Sequence, residues 1–267
     1  MLSMRSGDLY IALSGGIDSL TLMRIASDVR SAPTIAVHAV SAAVPAEATA
    51  RCRELALKYN WQLMQIDAGE FNDTQYISNP VNRCYYCKSS LFDSIVAQLE
   101  GDFSIATGTN TDDLGDYRPG LRAAGERGVW QPYVEAGIDK NEIRSLALQF
   151  GLGNLSRLPA QPCLSSRIQT GIKINADDLG FVHRMERRLT EYLGEGDIRC
   201  RIVSDGVVVQ LPADCIVFKS DTHRESIKNL VENICGDSAR QLVRIEAYKK
   251  GSAFLRTDTE SGNGRRV

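Results

Sequence analysis

The sequence predicts an α/β protein: a parallel sheet flanked by helices, followed by a smaller α+β domain. Three observations predict it. Short apolar runs alternate with segments of helical periodicity through the first part of the chain. The first run ends in a glycine-rich turn that opens a helix. From Asp177 onward the alternation gives way to two helical patterns interleaved with three short strands. The boundaries read are 1–170 for the first domain and 171–267 for the second.

Leu9-Tyr10-Ile11-Ala12-Leu13 reads as a buried strand, and Ser14-Gly15-Gly16 follows it before a helical pattern with Leu20, Met23 and Ile25. Thr34 to Val40 reads as a second buried strand, Ala46 to Tyr59 as a helix, and Gln62 to Ile66 as a third strand. Asn72 to Arg83 is polar, contains Asn79-Pro80 and reads as a loop. A helix is expected from about Cys84 to Leu99, then a fourth strand over Ser104 to Thr107. Asp139, with Glu142 three residues on, forms a capping-box pattern for a helix that ends at Gly151. Leu155 to Gly171 has two prolines and no period, as expected of an irregular segment. The second domain reads as a helix (Leu179 to Leu193), strands near Ile198 to Val203 and Val207 to Leu211, a helix (Asp221 to Ile234) and a last strand near Leu242 to Tyr248, with the strands antiparallel. The polar tail Thr257 to Val267 is expected to fray. Strands that alternate with helices imply a parallel sheet covered on both faces, whose ligands bind beyond the carboxyl ends of the strands. Ser14 and Gly108 both fall there.

At 43% hydrophobic and 24% charged residues over 267 positions, the composition excludes a disordered, collagen-like or disulfide-stapled chain. The formal net charge of -2 supplies no global basic field for a nucleic acid backbone, so nucleic acid is not the expected partner. No apolar run has the length of a membrane span and the polar start Met1 to Asp8 lacks a signal-peptide core, so no membrane role and a cytoplasmic location are expected. Seven cysteines, two of them in Cys84-Tyr85-Tyr86-Cys87, read as reduced thiols used as ligands or reactive groups.

Ser14-Gly15-Gly16-Ile17-Asp18-Ser19 puts two glycines where backbone amides must approach a phosphate, at a helix N-terminus that favours anions. Ser14 and Ser19 add hydroxyl donors. Asp18 beside a phosphate is repulsive unless a divalent cation lies between, so Mg²⁺ is implied. The Gly-Lys-Ser/Thr ending of a Walker A loop is missing, which argues against γ-phosphate hydrolysis. This stretch resembles the signature of the PP-loop ATP pyrophosphatases, of the adenine nucleotide alpha hydrolase-like fold. The resemblance implies cleavage of ATP between its α and β phosphates, with Ser14, Gly15, Gly16, Asp18 and Ser19 holding pyrophosphate and Mg²⁺, and adenylation of a substrate oxygen.

Three further stretches narrow the resemblance: Asn79 to Lys88, Gly108 to Asp113 running into Asp116 to Ala123, and Pro162-Cys163-Leu164-Ser165-Ser166-Arg167-Ile168. Together they resemble the LarE-type ATP-dependent sulfur transferases, over about Leu9 to Leu211. That resemblance implies sulfur insertion into a pyridinium dicarboxylate mononucleotide, a precursor of the nickel-pincer nucleotide. The sulfur donor is unnamed by it, and a homo-oligomer is implied. Cys163 matches the family's active-site cysteine. Some members sacrifice its sulfur, whereas members with an added Cys-x-x-Cys bind a 4Fe-4S cluster through three cysteines; Cys84, Cys87 and Cys163 resemble the second set. Cysteines three apart on the first turn of a helix face one way, and the helix N-terminus favours their thiolates. A structural Zn²⁺ site and a redox dithiol stay open beside the cluster.

Gly108 is expected near the nucleotide, and Asp112, Asp113 and Asp116 near Mg²⁺, a basic group or a solvated turn. Arg118 and Arg122 face an anionic ligand or form structural ion pairs. Arg167, placed with Asp18 and Cys163 among the catalytic residues, and Arg199 and Arg201 are the candidates for substrate phosphate or carboxylate. Arg199 and Arg201 share one face of a strand while Cys200 points the other way. The family likewise uses an Arg-x-Arg pair, and Ala247 to Ser252 loosely resembles its closing segment. Cys52, Cys200, Cys215 and Cys235 read as small buried residues, Trp61 and Trp130 as packing residues, and His38, His183 and His223 as belonging to no catalytic set. The expected function is adenylation of a carboxylate by ATP and Mg²⁺, then sulfur transfer. A tRNA thiolase, an ammonia-dependent synthetase and a non-catalytic nucleotide-binding iron-sulfur protein remain as alternatives.

Overall fold

The computed structural model describes residues 1–115, 118–236 and 240–249. Asp116, the Lys250-Gly251-Ser252 part of the closing segment and the tail from Thr257 lie outside the described residues. The chain forms two compact units: Met1–Tyr76 with Asn82–Cys163, and Ile77–Val81 with the described residues from Leu164 onward.

The first unit is built on β1 (Asp8–Leu13), β2 (Thr34–Ala39), β3 (Gln62–Ile66) and β4 (Phe103–Thr107). Among the described residues these form a wholly parallel sheet in the order β3-β2-β1-β4. Its helices are α1 (Ile17–Val29), α2 (Ala46–Tyr59), α3 (Thr74–Ile77), α4 (Arg83–Val96), α5 (Pro119–Glu126), α6 (Pro132–Ala136) and α7 (Lys140–Gln149). Side chains of a strand alternate between faces, and β1 shows the result. Leu9, Ile11 and Leu13 enter a core with Leu20 and Met23 of α1, Cys52 of α2 and Ile143 of α7. Ala12 enters a second core with Phe92 and Ile95 of α4 and Ala124 of α5. Each fully buried side chain of this kind contributes about 1.5–3 kcal/mol, so the sheet is held from both sides. Trp61 and Trp130 pack in the first core, as expected.

The capping box at the start of α7 forms: Asp139 accepts from the amides of Asn141 and Glu142, and the Glu142 carboxylate accepts from the Asp139 amide. Asn72 to Arg83 is not all loop, because the Asp73 carboxylate accepts the Gln75 amide at 2.8 Å and starts the short α3. Helix α6 was not foreseen; like α5, it opens with proline at the first turn, where its missing N–H costs nothing.

The second unit carries α8 (Ala176–Leu193), β5 (Arg199–Val203), β6 (Gly206–Leu211), α9 (Asp221–Cys235) and β7 (Leu242–Ala247), with sheet order β5-β6-β7. β5 and β6 are antiparallel, but β7 runs parallel to β6, contrary to the antiparallel reading. Helix α9 lies between them in sequence and returns the chain to the starting end of β6, the crossover a parallel pair requires. Asn79 belongs to this unit: fully buried, it donates its side-chain amide to the carbonyls of Ile168, Gln169 and Ile172. Among the described residues no helix is long and apolar enough to cross a membrane.

Candidate functional site

In the order β3-β2-β1-β4 the order in which strands are added reverses at β1, with β2 on one side and β4 on the other, which opens a crevice beyond the carboxyl ends of β1 and β4. The segment Ser14 to Ser19 leaves β1 there and enters α1. Gly15 has φ +77, and a Cβ on it would stand 2.8 Å from Ala48, so only glycine fits. The hydroxyls brace the loop from within. The Ser14 amide donates to Ser19 Oγ at 3.1 Å, the Gly16 amide donates to Ser14 Oγ at 3.2 Å, and Ser19 Oγ donates to the Gly16 carbonyl at 3.2 Å. Arg51 on α2 donates to the Gly15 carbonyl at 2.6 Å. Gly108, after β4, closes the other side: a Cβ there would lie 2.6 Å from the Ser19 nitrogen and 2.7 Å from the Asp18 carbonyl carbon. The loop is thereby fixed with the free amides of the first turn of α1 at its mouth, an arrangement suited to an oxyanion.

His38, on β2, braces the strand that feeds this loop. Its Nδ1 lies 2.9 Å from the Leu13 carbonyl, which can only accept, so Nδ1 carries the proton and Nε2 accepts from the Thr49 hydroxyl at 2.9 Å. Burial lowers its pKa from the usual histidine value, which keeps the ring neutral. The Cys52 sulfur lies 3.6 Å from the same Nδ1.

Asp18 does not stand alone. Lys140, the first residue of α7, places Nζ 2.5 and 2.6 Å from its two carboxylate oxygens, with both side chains about a quarter exposed. Burial raises the Asp18 pKa, and the Lys140 ammonium opposes that rise. The segment after β4 positions the lysine: the Thr111 amide donates to the Ile138 carbonyl, and the Lys140 amide to the Asp112 carboxylate at 3.4 Å. Asp113 accepts the Asn110 amide and pairs with Arg118 at 2.9 Å, while Arg122 pairs with Glu126 at 3.4 Å. Both arginines thus take part in ion pairs. Sequence reasoning missed Lys140 because the capping box accounts for its segment completely; a lone lysine at a helix start gives no signal.

Cys84 and Cys87 lie near the start of α4, as expected, and Cys163 is exposed within the irregular segment. All three belong to the first unit. Burial pushes the Cys84 thiol up, and Cys163 adds to it as a neighbouring like charge. Burial likewise pushes Cys87 up to about 12, with Cys163, Glu70 and Cys84 reinforcing the shift. A thiol in this state stays protonated until a metal displaces the proton. Glu70 was not foreseen: it is 3% exposed, and its Oε2 has no hydrogen-bond partner among the described residues. No three Cys, His, Asp or Glu side chains among the described residues converge as a ready-made metal site. Cys52, Cys200 and Cys235 are buried as expected, whereas Cys215 is only half-buried.

Arg167, Arg199 and Arg201 belong to the second unit. Arg167 is buried and donates to both oxygens of Glu186 at 2.9 and 3.0 Å, and Glu186 also accepts the Cys200 amide. Arg201 donates to the Gln210 side chain at 2.6 Å and to the Ser166 carbonyl at 2.8 Å. Arg199 goes elsewhere, to the Ile198 carbonyl, Asp197 and the ring of Tyr248. Arg167 and Arg201 line a cavity of about 190 Å³ from which Arg199 is absent, so the expected arginine pair is divided. A larger cleft of about 390 Å³, lined by Arg24, Arg30, Tyr59 and Trp61, lies at the amino ends of β2 and β3, away from the loop. There Arg30 is occupied by the carbonyls of Leu2, Arg5 and Gly7.

Fold and site define an α/β protein with a glycine loop at the switch point of a parallel sheet and three cysteines in the same unit. No family model matches the chain. It is 37% identical to an uncharacterized protein, slr1717, of Synechocystis, over 77% of each chain. It is 30% identical to an uncharacterized protein, MJ0830, of Methanocaldococcus jannaschii, over 77% of this chain and 78% of that one. It is also 29% identical, over 80% of each chain, to the pyridinium-3,5-bisthiocarboxylic acid mononucleotide synthase of Lactiplantibacillus plantarum. The chain belongs to the same family as the Synechocystis and Methanocaldococcus proteins, and its likeness to the synthase makes it LarE-like.

Proposed function

We propose that this chain is an ATP-dependent sulfur transferase that adenylates a carboxylate of a pyridinium dicarboxylate mononucleotide and converts it to a thiocarboxylate. The observation that carries the reading is the glycine loop with Lys140 on Asp18, at the sheet's switch point and in the same unit as Cys84, Cys87 and Cys163. The printed name of the Lactiplantibacillus relative supplies the substrate class.

The loop amides and the Ser14 and Ser19 hydroxyls bind the β and γ phosphates. Mg²⁺ suits the place: one carboxylate with phosphate oxygens is its usual donor set, and Asp18 already holds a cationic ammonium against both oxygens. Bound Mg²⁺ would screen Asp18 from the phosphates and stabilise the leaving pyrophosphate. Lys140, which holds both Asp18 oxygens here, would turn to the phosphates if Mg²⁺ took its place. The substrate carboxylate oxygen then bonds to the α phosphorus as the α–β bridging bond breaks and pyrophosphate leaves. A sulfur nucleophile next adds to the acyl carbon, and the C–O bond to AMP breaks.

Cys84, Cys87 and Cys163 suit a 4Fe-4S cluster in donor chemistry, since thiolates are what such clusters take and the charges of these three already act on one another. Bound there, the cluster would supply a site for sulfide. Arg167 and Arg201 bind an anionic group of the acceptor.

The test is anaerobic protein incubated with ATP, Mg²⁺, sulfide and pyridinium-3,5-dicarboxylate mononucleotide, scored for pyrophosphate and thiocarboxylate. Both products are expected from the wild type and neither from Asp18→Ala. Pyrophosphate that forms only with ammonia, or only with tRNA, would replace this reading with a synthetase or a tRNA thiolase.

A further inference from the structure

One side chain joins the glycine loop to the segment that carries Cys163. Gly15 rests on the start of α2, where Ala48 lies against it and Arg51, one turn on, holds its carbonyl at 2.6 Å. A trans peptide is planar, so a carbonyl held on the α2 side turns the Gly16 N–H away from α2, toward Ser14 Oγ at 3.2 Å. A charged donor on the carbonyl also polarises the peptide and strengthens that N–H as a donor. The same Arg51 Nη1 lies 3.2 Å from Gln161 Oε1, and an Nη1 has a hydrogen for each of the two acceptors. Gln161 stands between Pro159 and Pro162, and Cys163 follows. Proline fixes its own φ and keeps the residue before it extended, so the arm from Gln161 to Cys163 is stiff, roughly 7 Å at full extension. Arg51, Gly15, Gln161 and Cys163 all belong to the first unit. Burial lowers the Arg51 pKa, so the guanidinium is held there at a cost that its two acceptors offset. Neither half of the proposed reaction uses it.

We propose that Arg51 is a positioning residue with two arms: through the Gly15 carbonyl it sets the Gly16 amide for the phosphates of ATP, and through Gln161 it holds the Cys163 segment to the loop. The first arm acts on nucleotide binding and the second on the fate of the acyl adenylate. That intermediate meets either sulfur or water at its acyl carbon. When water adds, the C–O bond to AMP breaks and the carboxylate is regenerated, although pyrophosphate has already left. A Cys163 segment fixed to the loop has the sulfur side in place before that happens, and a loose one lets water in first. Lysine replaces only part of this, because its rotatable ammonium lacks the planar fork that fixes the direction of both bonds. Arg51 has this role only in the sulfur transferase proposed above, whose two half-reactions it ties together.

The test compares the full-length wild type with Arg51→Ala, Arg51→Lys and Gln161→Ala in two readouts. One is calorimetric titration with α,β-methylene-ATP and Mg²⁺; the other is thiocarboxylate formed per pyrophosphate released, with iron content and Tm recorded for each protein. Gln161 is exposed, so its replacement leaves the core untouched. Arg51→Ala is expected to bind the analogue about tenfold more weakly, as for the loss of one charge-assisted hydrogen bond, and to lower the yield. Gln161→Ala is expected to keep the analogue affinity and the rate of pyrophosphate release while its yield falls roughly threefold or more. Arg51→Lys is expected to recover part of the affinity. An unchanged affinity in Arg51→Ala, an unchanged yield in Gln161→Ala, or a yield that falls only where iron is lost overturns the proposal. If the wild type binds the analogue but releases no pyrophosphate with any acceptor, the sulfur-transferase reading falls and the second arm with it, while the titrations still decide the first.

Discussion

Replacing Lys140 with methionine removes the ammonium from both Asp18 oxygens and keeps the length of the stem. The contacts are 2.5 and 2.6 Å and the side chains 28% and 27% exposed, so the pair is neither a free surface bridge nor fully enclosed. Surface pairs contribute about 0–1 kcal/mol, and breaking a fully buried one costs about 3–5 kcal/mol. A loss of about 2 kcal/mol is expected here, which for a unit of this size is roughly 4–8 °C in Tm. The pH dependence identifies the cause. Burial already raises the Asp18 pKa in the folded protein, so the unfolded chain ionises first as pH rises, and the cost of ionised Asp18 is complete above the folded pKa. Without Lys140 that pKa rises further. The deficit of Lys140→Met is therefore full at pH 8 and shrinks as pH falls through the raised pKa of Asp18 in the variant. Thermal unfolding from pH 8 to pH 5, with Asp18→Asn and the double variant, measures it. A deficit independent of pH, or strictly additive effects in the double variant, would refute the pairing as the source.

Gly108→Ala places a methyl 2.6 Å from the backbone of Ser19, so it is expected to cost about 2 kcal/mol or more and to abolish pyrophosphate release; a variant of native stability with full turnover would show that β4 does not support the loop. Cys163→Ala is expected to retain pyrophosphate release and lose thiocarboxylate, with iron and acid-labile sulfide falling in parallel with Cys84→Ala and Cys87→Ala. Full iron content in all three variants removes the cysteines from the cluster, and a wild-type protein in which mass spectrometry finds dehydroalanine at position 163 assigns a sacrificial sulfur. His38 has a pKa below that of the unfolded chain, so its contribution is present above the unfolded value near 6.5 and is lost as pH falls from there toward the folded pKa. His38→Gln should flatten that part of the stability profile, and an unchanged slope would point to other groups.

The strands were legible because β1 and β2 are buried on both faces and read as largely apolar runs, and the loop because two glycines stand between a strand and a helix, one of which, Gly15, takes a positive φ. The helix with Cys84 and Cys87 near its start was legible from spacing alone. Arg199 and Arg201 share a face, yet one turns to Tyr248 and Asp197 and the other to the cavity, because neighbours from other strands decide where a long side chain ends. Glu70 gave no signal, since a single acidic residue in a polar segment reads as solvated.

By itself the sequence determined the strands and longer helices, the parallel sheet and the positions of its glycines, for these follow from periodicity and backbone sterics within a few residues. Tertiary structure decided what is far apart in the chain. Lys140 meets Asp18 across 122 positions, Arg244 joins Arg201 in one row through β6, and β7 takes its direction from a crossover rather than from its own residues. Local patterns restrict which face a side chain takes; only packing of remote segments sets which charge it meets there.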